Sequence, residues 1–170
     1  MAELVYLSLG SNVGDRATHL KTAIQRFQTA ETVKAVSGFY ETEPVELREQ
    51  PWFLNCAVAL ETDLPPGLLL KTLLTIEQEM GRLRMRDKGP RLIDIDILLF
   101  GAQVVDEPGL RIPHPAMHQR RFVLEPLVEI APEAVHPTFK QTARELLEAL
   151  PAGQIVRRLQ SQAQSPLTAR

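Results

Sequence analysis

The chain has 170 residues, 19 Lys and Arg against 21 Asp and Glu, a net charge of −2, and 44% hydrophobic residues. That length fits one domain able to bury a core without staples. The near-neutral charge argues against a general nucleic-acid coat or a membrane-surface binder. The single cysteine, Cys56, excludes a disulfide framework and a multi-cysteine zinc site and fits a reducing compartment.

The first twelve residues, MAELVYLSLGSN, lack a basic leader pattern. No apolar run approaches the ~20 residues that span a bilayer, so the expected setting is the cytoplasm, with no membrane. Residues 4–9 are rich in strand formers and end at Gly10-Ser11-Asn12. Asp15 can cap a helix whose apolar face is Leu20, Ala23, Ile24 and Phe27. Residues 32–41 read as a second strand, and residues 42–51, with Glu43, Glu46 and Glu49 among them, as a loop.

Residues 52–61 alternate. Trp52, Leu54, Cys56, Val58 and Leu60 form a core face, while Phe53, Asn55, Ala57, Ala59 and Glu61 point the other way. Pro65-Pro66 opens a helix buried along Leu69, Leu70, Leu73, Leu74, Ile76 and Met80, with Gly81 placed to end it. Residues 82–91 are a basic loop and 92–99 a strand. Residues 103–112 suggest a short hairpin, 113–121 a polar loop, and 122–130 a short helix or irregular apolar segment. A last helix is expected over 138–150, with Phe139, Leu146, Leu147 and Leu150 on its apolar face.

The order strand, helix, strand, strand, helix, strand predicts an α+β fold. It is that of a ferredoxin-like sandwich, a mainly antiparallel sheet with helices packed on one face and the other face left to build a site. One domain is expected over residues 1–160, with a disordered tail over 161–170.

The strongest local pattern is Arg91-Leu92-Ile93-Asp94-Ile95-Asp96-Ile97-Leu98. Residues two apart on a strand share a face, so Asp94 and Asp96 project together while Ile93, Ile95, Ile97 and Leu99 face the core. Two carboxylates this close repel unless a positive charge sits between them. Magnesium suits such a pair, because it takes one or two carboxylates plus substrate phosphates. A wet face of an amphipathic strand would produce the same Asp-x-Asp.

The flanking charge bears on that choice. Arg82, Arg84, Arg86, Lys88 and Arg91 fall within ten residues, opposed only by Asp87. A basic run can be a solvated face, but arginines beside a magnesium site are also the apparatus for binding a polyphosphate. Arg111, His114, His118, Arg120 and Arg121 form a second polar segment able to close such a site. Neither a Walker lysine loop nor a dinucleotide glycine fingerprint occurs.

The stretch Gly89-Pro90-Arg91-Leu92-Ile93-Asp94-Ile95-Asp96-Ile97-Leu98 closely resembles the signature of the 6-hydroxymethyl-7,8-dihydropterin pyrophosphokinase family. The resemblance continues through Gly10-Ser11-Asn12, Phe39-Tyr40-Glu41-Thr42, Phe53-Leu54-Asn55, Ile76-Glu77, Gly81-Arg82, Pro113-His114-Pro115 and Arg121-Phe122-Val123-Leu124. It covers about residues 3–135, with the motifs in the family's order. It implies a ferredoxin-like monomer of folate biosynthesis that moves the terminal pyrophosphoryl unit of ATP to the pterin hydroxymethyl group and releases AMP.

By that resemblance, Asp94 and Asp96 would hold two magnesium ions bridging the ATP phosphates. Arg82 and Arg91 would be the catalytic-loop arginines. Glu77, Arg84, Ile97, Arg111, His114 and Arg120 would bind ATP. Thr42, Val45, Phe53, Asn55 and Phe122 would bind the pterin, with the two rings stacking on it and Asn55 offering both donor and acceptor to its edge. The chain also departs from some members. Its basic loop is one residue shorter, Met85 and Lys88 stand where those members have lysine and tryptophan, and Pro115, Ala116 and His118 replace an aromatic, an acid and a lysine.

Two other classes make different predictions. A metal-dependent phosphodiesterase or nucleotidyl transferase would act without a pterin. A ferredoxin-like RNA-binding module would expose two or three aromatics on its central strands, and this chain has only one Trp, two Tyr and six Phe.

Overall fold

The structure is a computed structural model. It describes residues 2–43, 52–82 and 92–159, with only the backbone at Arg82. The basic loop with Arg84, Met85, Arg86, Lys88 and Arg91, the acidic segment with Val45, and the 161–170 tail lie outside the described residues.

The core of the fold is an antiparallel sheet. Its strands are β1 (Glu3–Ser11), β2 (Thr32–Val36), β3 (Tyr40–Thr42), β4 (Phe53–Thr62), β5 (Asp94–Phe100) and β10 (Val156–Arg158). The spatial order is β10-β3-β4-β1-β5, with β2 also paired to β4. Helices α1 (Arg16–Ala30) and α2 (Pro66–Arg82) make the crossovers, as the ferredoxin-like order requires. Two short hairpins follow, β6 (Val105–Glu107) with β7 (Leu110–Ile112) and β8 (Val135–His136) with β9 (Gln141–Thr142). A 3-10 turn (Met117–Gln119) and α3 (Arg121–Ile130) lie between the hairpins, and α4 (Ala143–Glu148) comes after them.

Alternation in the strands gives the sheet two different faces. Leu7, Leu9, Cys56, Val58, Ile95 and Ile97 pack against Leu20, Ile24 and Phe27 of α1 and Leu69, Leu73 and Met80 of α2. Each such side chain taken fully out of water contributes ~1.5–3 kcal/mol. Burial pushes the Cys56 thiol far above its ordinary range, with Glu129 adding to it, so this cysteine is packing material.

The opposite face is divided. One half is covered by α3 and α4, which pack Val123, Leu124, Leu127 and Leu146 onto Tyr6, Leu98 and Leu99. The expectation of helices on one face only is thus too simple. The other half carries Asp94 and Asp96.

Several local expectations change. Residues 32–41 are two strands, β2 and β3, parted at Ser37-Gly38-Phe39. Ser37 Oγ accepts from Ala57 N and donates to Gly38 O, breaking the ladder there. Strand β1 runs through Ser11, so Gly10 lies within a strand and the turn begins later. Helix α2 continues past Gly81, and Leu74 is exposed.

Leu99 does not share a face with Ile95 and Ile97. A register shift between Tyr6 and Leu7 pairs Leu99 with Tyr6, on the α3 side. The helix expected from residue 138 starts only at Ala143, because β8 and β9 occupy the preceding residues. Phe139 stacks on His136 with ring centroids 4.3 Å apart rather than joining the helix face. Strand β10 has no counterpart among the sequence-based expectations.

Candidate active site

Antiparallel pairing sets the polar half-face residue by residue, since opposed residues point to the same side. Asp94 stands opposite Gly10, and Asp96 opposite Ser8. Gly10 stands opposite Asn55 on its other side, and Asn55 opposite Tyr40. Thr42 is paired with Phe53. One row therefore runs Asp94, Gly10, Asn55, Tyr40 across four strands. The carboxylate end lies two strand spacings, about 10 Å, from the amide end.

The amide end is tightly set. Thr42 Oγ1 donates to Asn55 Oδ1 at 2.8 Å, with both residues buried. That bond fixes which end of the amide is the donor and turns Nδ2 toward β1. A Cβ on Gly10 would lie 2.7 Å from Asn55 Nδ2 and 3.7 Å from Phe53 Cδ1. Only glycine keeps space between Asn55 and Asp94, a role that the place of Gly10 at the end of the apolar run does not reveal.

The carboxylate end sits on β5, the terminal strand of the sheet. Glu77, in the last turns of α2, accepts from Ile95 N at 2.7 Å, so the outward-facing amides of β5 are within reach of that helix. Ile97, two residues on, presents its backbone outward in the same way, while its side chain is buried in the core. Any ligand contact from Ile97 is therefore a backbone contact.

The second polar segment approaches the same strand. His114 N donates to Leu98 O at 3.0 Å, next to the register shift. His114 Nδ1 accepts from Ala116 N at 3.1 Å, which leaves Nε2 as the ring's N–H. Burial holds the imidazole below its ordinary value, the Asp96 charge opposes that, and Arg120 reinforces it. His114, Asp96 and Arg120 thus share one electrostatic environment. The Arg120 guanidinium lies 5.6 Å from the centre of the Phe122 ring, so those two expected ligand residues are also adjacent.

Other candidates are engaged elsewhere. Arg121 pairs with Glu125 at 3.4 Å and donates to Pro151 O. His118 packs edge-on against Phe139 at 4.8 Å. Arg111 is exposed and sits 3.4 Å from Asp106 across the β6–β7 hairpin. Glu77, Asp94, Asp96, His114, Arg120, Thr42, Phe53, Asn55 and Phe122 are all within the described residues, whereas Val45, Arg84, Arg91 and the side chain of Arg82 are not.

Comparison with known proteins gives a consistent result. The family profile described as 7,8-dihydro-6-hydroxymethylpterin-pyrophosphokinase matches residues 6–132. A 2-amino-4-hydroxy-6-hydroxymethyldihydropteridine pyrophosphokinase of Methylorubrum extorquens is 47% identical over 152 residues, covering 87% of this chain and 94% of that protein. The Bacillus subtilis protein of the same name is 46% identical, covering 76% of this chain and 79% of its own length. The folic acid synthesis protein fol1 of Schizosaccharomyces pombe is 42% identical, and the chain spans only 21% of it. The corresponding proteins of Dictyostelium discoideum and Pneumocystis carinii are spanned to 23% and 18%. Among solved structures, wild-type Plasmodium falciparum HPPK-DHPS with pteroate superposes with a TM-score of 0.68 at 16% identity, over 87% of this chain and 44% of that one. That likeness concerns the fold. With the full-length bacterial relatives and the profile match, it follows that this chain belongs to the 7,8-dihydro-6-hydroxymethylpterin-pyrophosphokinase family.

Proposed function

We propose that the chain transfers the βγ-pyrophosphoryl group of ATP to the hydroxymethyl oxygen of 6-hydroxymethyl-7,8-dihydropterin and releases AMP, in folate biosynthesis. The observation that carries this reading is the row from Asp94 through Gly10 to Asn55. It sets an anionic end and a neutral, hydrogen-bonding end about two strands apart on one face. A flat heterocycle with polar edges fits the amide end. Thr42 fixes the Asn55 amide, and Phe53 and Phe122 supply rings for stacking.

The donor set fits magnesium. Two carboxylates share a face of β5, and among the described residues no group of three or more His, Cys, Asp or Glu converges. Magnesium needs one or two protein carboxylates and completes its octahedron with water and phosphate oxygens. Asp94 and Asp96 would hold two such ions, which when bound would share the charge of the attacking and leaving oxygens. His114 and Arg120 would face the phosphates, the first donating through Nε2 and the second through its guanidinium. Arg111 and Arg84 would add charge, and Arg82 and Arg91 would offset negative charge on the phosphate oxygens as the β-phosphorus is attacked. Glu77 and the outward backbone of Ile97 would border the adenine. Val45 would add a backbone contact to the pterin. In the reaction the pterin hydroxymethyl oxygen would form a bond to Pβ and give up its proton to solvent, the bond from Pβ to the bridging oxygen would break, and AMP would leave with that oxygen.

The same reading makes the protein a cytoplasmic monomer of one domain, with no nucleic-acid or membrane partner. The −2 net charge speaks against a general nucleic-acid coat or a membrane-surface binder. Among the described residues no helix is long and apolar enough to cross a membrane. The test is product identity. ATP, magnesium and the pterin should yield AMP and pterin pyrophosphate, whereas ADP, or turnover that ignores the pterin, would refute the assignment. Asp96→Ala should lose turnover by a factor on the order of 10³, equivalent to several kcal/mol of metal-held charge, and keep its circular dichroism spectrum and melting point.

A further inference from the structure

Behind the amide end, on the sheet's opposite face, four residues from four separate segments form a closed set. The Glu41 carboxylate of β3 accepts from Arg16 Nη2 at 2.9 Å and from Arg157 Nη2 at 3.1 Å. Arg16, the first residue of α1, also donates through Nη1 to the Trp52 carbonyl at 2.7 Å. The Arg157 guanidinium of β10 lies over the Trp52 ring, 4.8 Å from its centre. Glu41 and Trp52 immediately precede Thr42 and Phe53, and Thr42 and Phe53 are paired across β3 and β4. Alternation points Glu41 to the face opposite Thr42.

The C-terminal segment adds further ties to the same edge. Arg157 pairs with Glu41 and Val156 with Thr42 in register. Glu43 N donates to Ile155 O, Ile155 N donates to Glu43 Oε1, and Gln154 Nε2 donates to Glu43 O. The side chain of Glu41 is only 16% exposed, so its carboxylate and Arg16 meet in partly shielded surroundings, while Arg157 reaches it from the solvent side.

We propose that Glu41, Arg16 and Arg157 are positioning residues for the heterocycle, acting from behind the sheet through Thr42 and Trp52-Phe53. This rests on the functional reading above. None of the three needs to touch the ligand. Their role is to hold the Thr42–Asn55 hydrogen bond and the Phe53 ring in the geometry that receives the pterin, where small misplacements are expensive. The C-terminal strand thereby becomes part of the specificity apparatus for one substrate and not the other.

The test uses the full chain and its single tryptophan, Trp52. Arg157 is 63% exposed in its side chain, so Arg157→Ala should fold with a Tm within about 3 °C of wild type. Trp52 emission should change without any ligand. Affinity for the pterin, titrated in the presence of a non-hydrolysable ATP analogue and magnesium, should fall about fivefold while affinity for the ATP analogue alone stays within twofold. Arg157→Lys should recover only part of the loss, since lysine keeps the charge but not the planar stack. Glu41→Gln should reproduce the pterin-selective loss. Equal loss for both ligands, or no loss in either variant, would overturn the positioning role. Unchanged Trp52 emission would overturn the clamp itself. A wild-type chain that binds no pterin would instead remove the functional reading on which the inference stands.

Discussion

Gly10 is the residue on which the width of the site depends. A methyl group there would meet Asn55 Nδ2 at 2.7 Å, closer than real Cβ contacts come. Asn55 cannot turn aside without giving up the 2.8 Å bond from Thr42 Oγ1, and a buried polar atom left unpaired costs about 1–3 kcal/mol. Gly10→Ala is therefore expected to raise the KM for the pterin about tenfold and leave the KM for ATP within twofold. A steady-state comparison of the two constants checks this, and equal change in both would refute it. At this scale the sequence is informative where period-2 alternation applies. The shared face of Asp94 and Asp96, and of Phe53 and Asn55, follows from spacing alone. The Thr42–Asn55, Glu77–Ile95 and Arg16–Glu41 contacts do not, because strand pairing and helix crossing bring together residues 13, 18 and 25 positions apart.

Among the elements, α4 shows which signals decide a boundary. Apolar spacing alone suggests a helix from residue 138, but a capping box fixes the start. Thr142 Oγ1 accepts from Glu145 N at 3.1 Å, and Glu145 Oε1 accepts from Thr142 N at 2.9 Å. The sequence carries this boundary as Thr142-Ala143-Arg144-Glu145, whereas the spacing of Phe139 and the leucines alone points further upstream. Thr142→Ala should cost about 1 kcal/mol and lower Tm by about 2–4 °C, with kcat/KM for both substrates unchanged. A thermal melt and a rate measurement test both halves. Two other features had no local signal. The register shift that turns Leu99 to the α3 side depends on β1. Strand β10 is only three residues long, with two arginines among them, and gains its partners from β3 and Glu129.

Across the whole molecule, groups on elements of the candidate site and on remote elements set the acid limit. Burial holds His136 below its ordinary value near 6.5, and His118 reinforces it. Its Nδ1 accepts from Thr138 N and Phe139 N, bonds that a protonated ring cannot take. His114 is depressed in the same direction. For Glu41, burial alone would raise the carboxyl, but Arg16 and Arg157 outweigh it. For Glu129, burial is likewise outweighed by Arg158, Tyr40 and the Gly38 amide. All four groups have folded pKa values below their unfolded ones, so the unfolded chain binds more protons in the interval between. Their contribution to stability is complete above the unfolded value and is lost as pH falls toward the folded one. The histidines act first, below about pH 6.5, and the glutamates below about pH 4.5. Tyr40 has the opposite sign. Burial and then Glu129 raise it, so its contribution is present below about pH 10 and lost above. Urea midpoints should therefore hold level from about pH 7 to 9, decline toward pH 5, and fall more steeply near pH 4. His136→Gln should flatten the first decline, and Glu129→Gln the second. A midpoint that stays constant from pH 7 down to pH 4 would contradict the assignment of these groups.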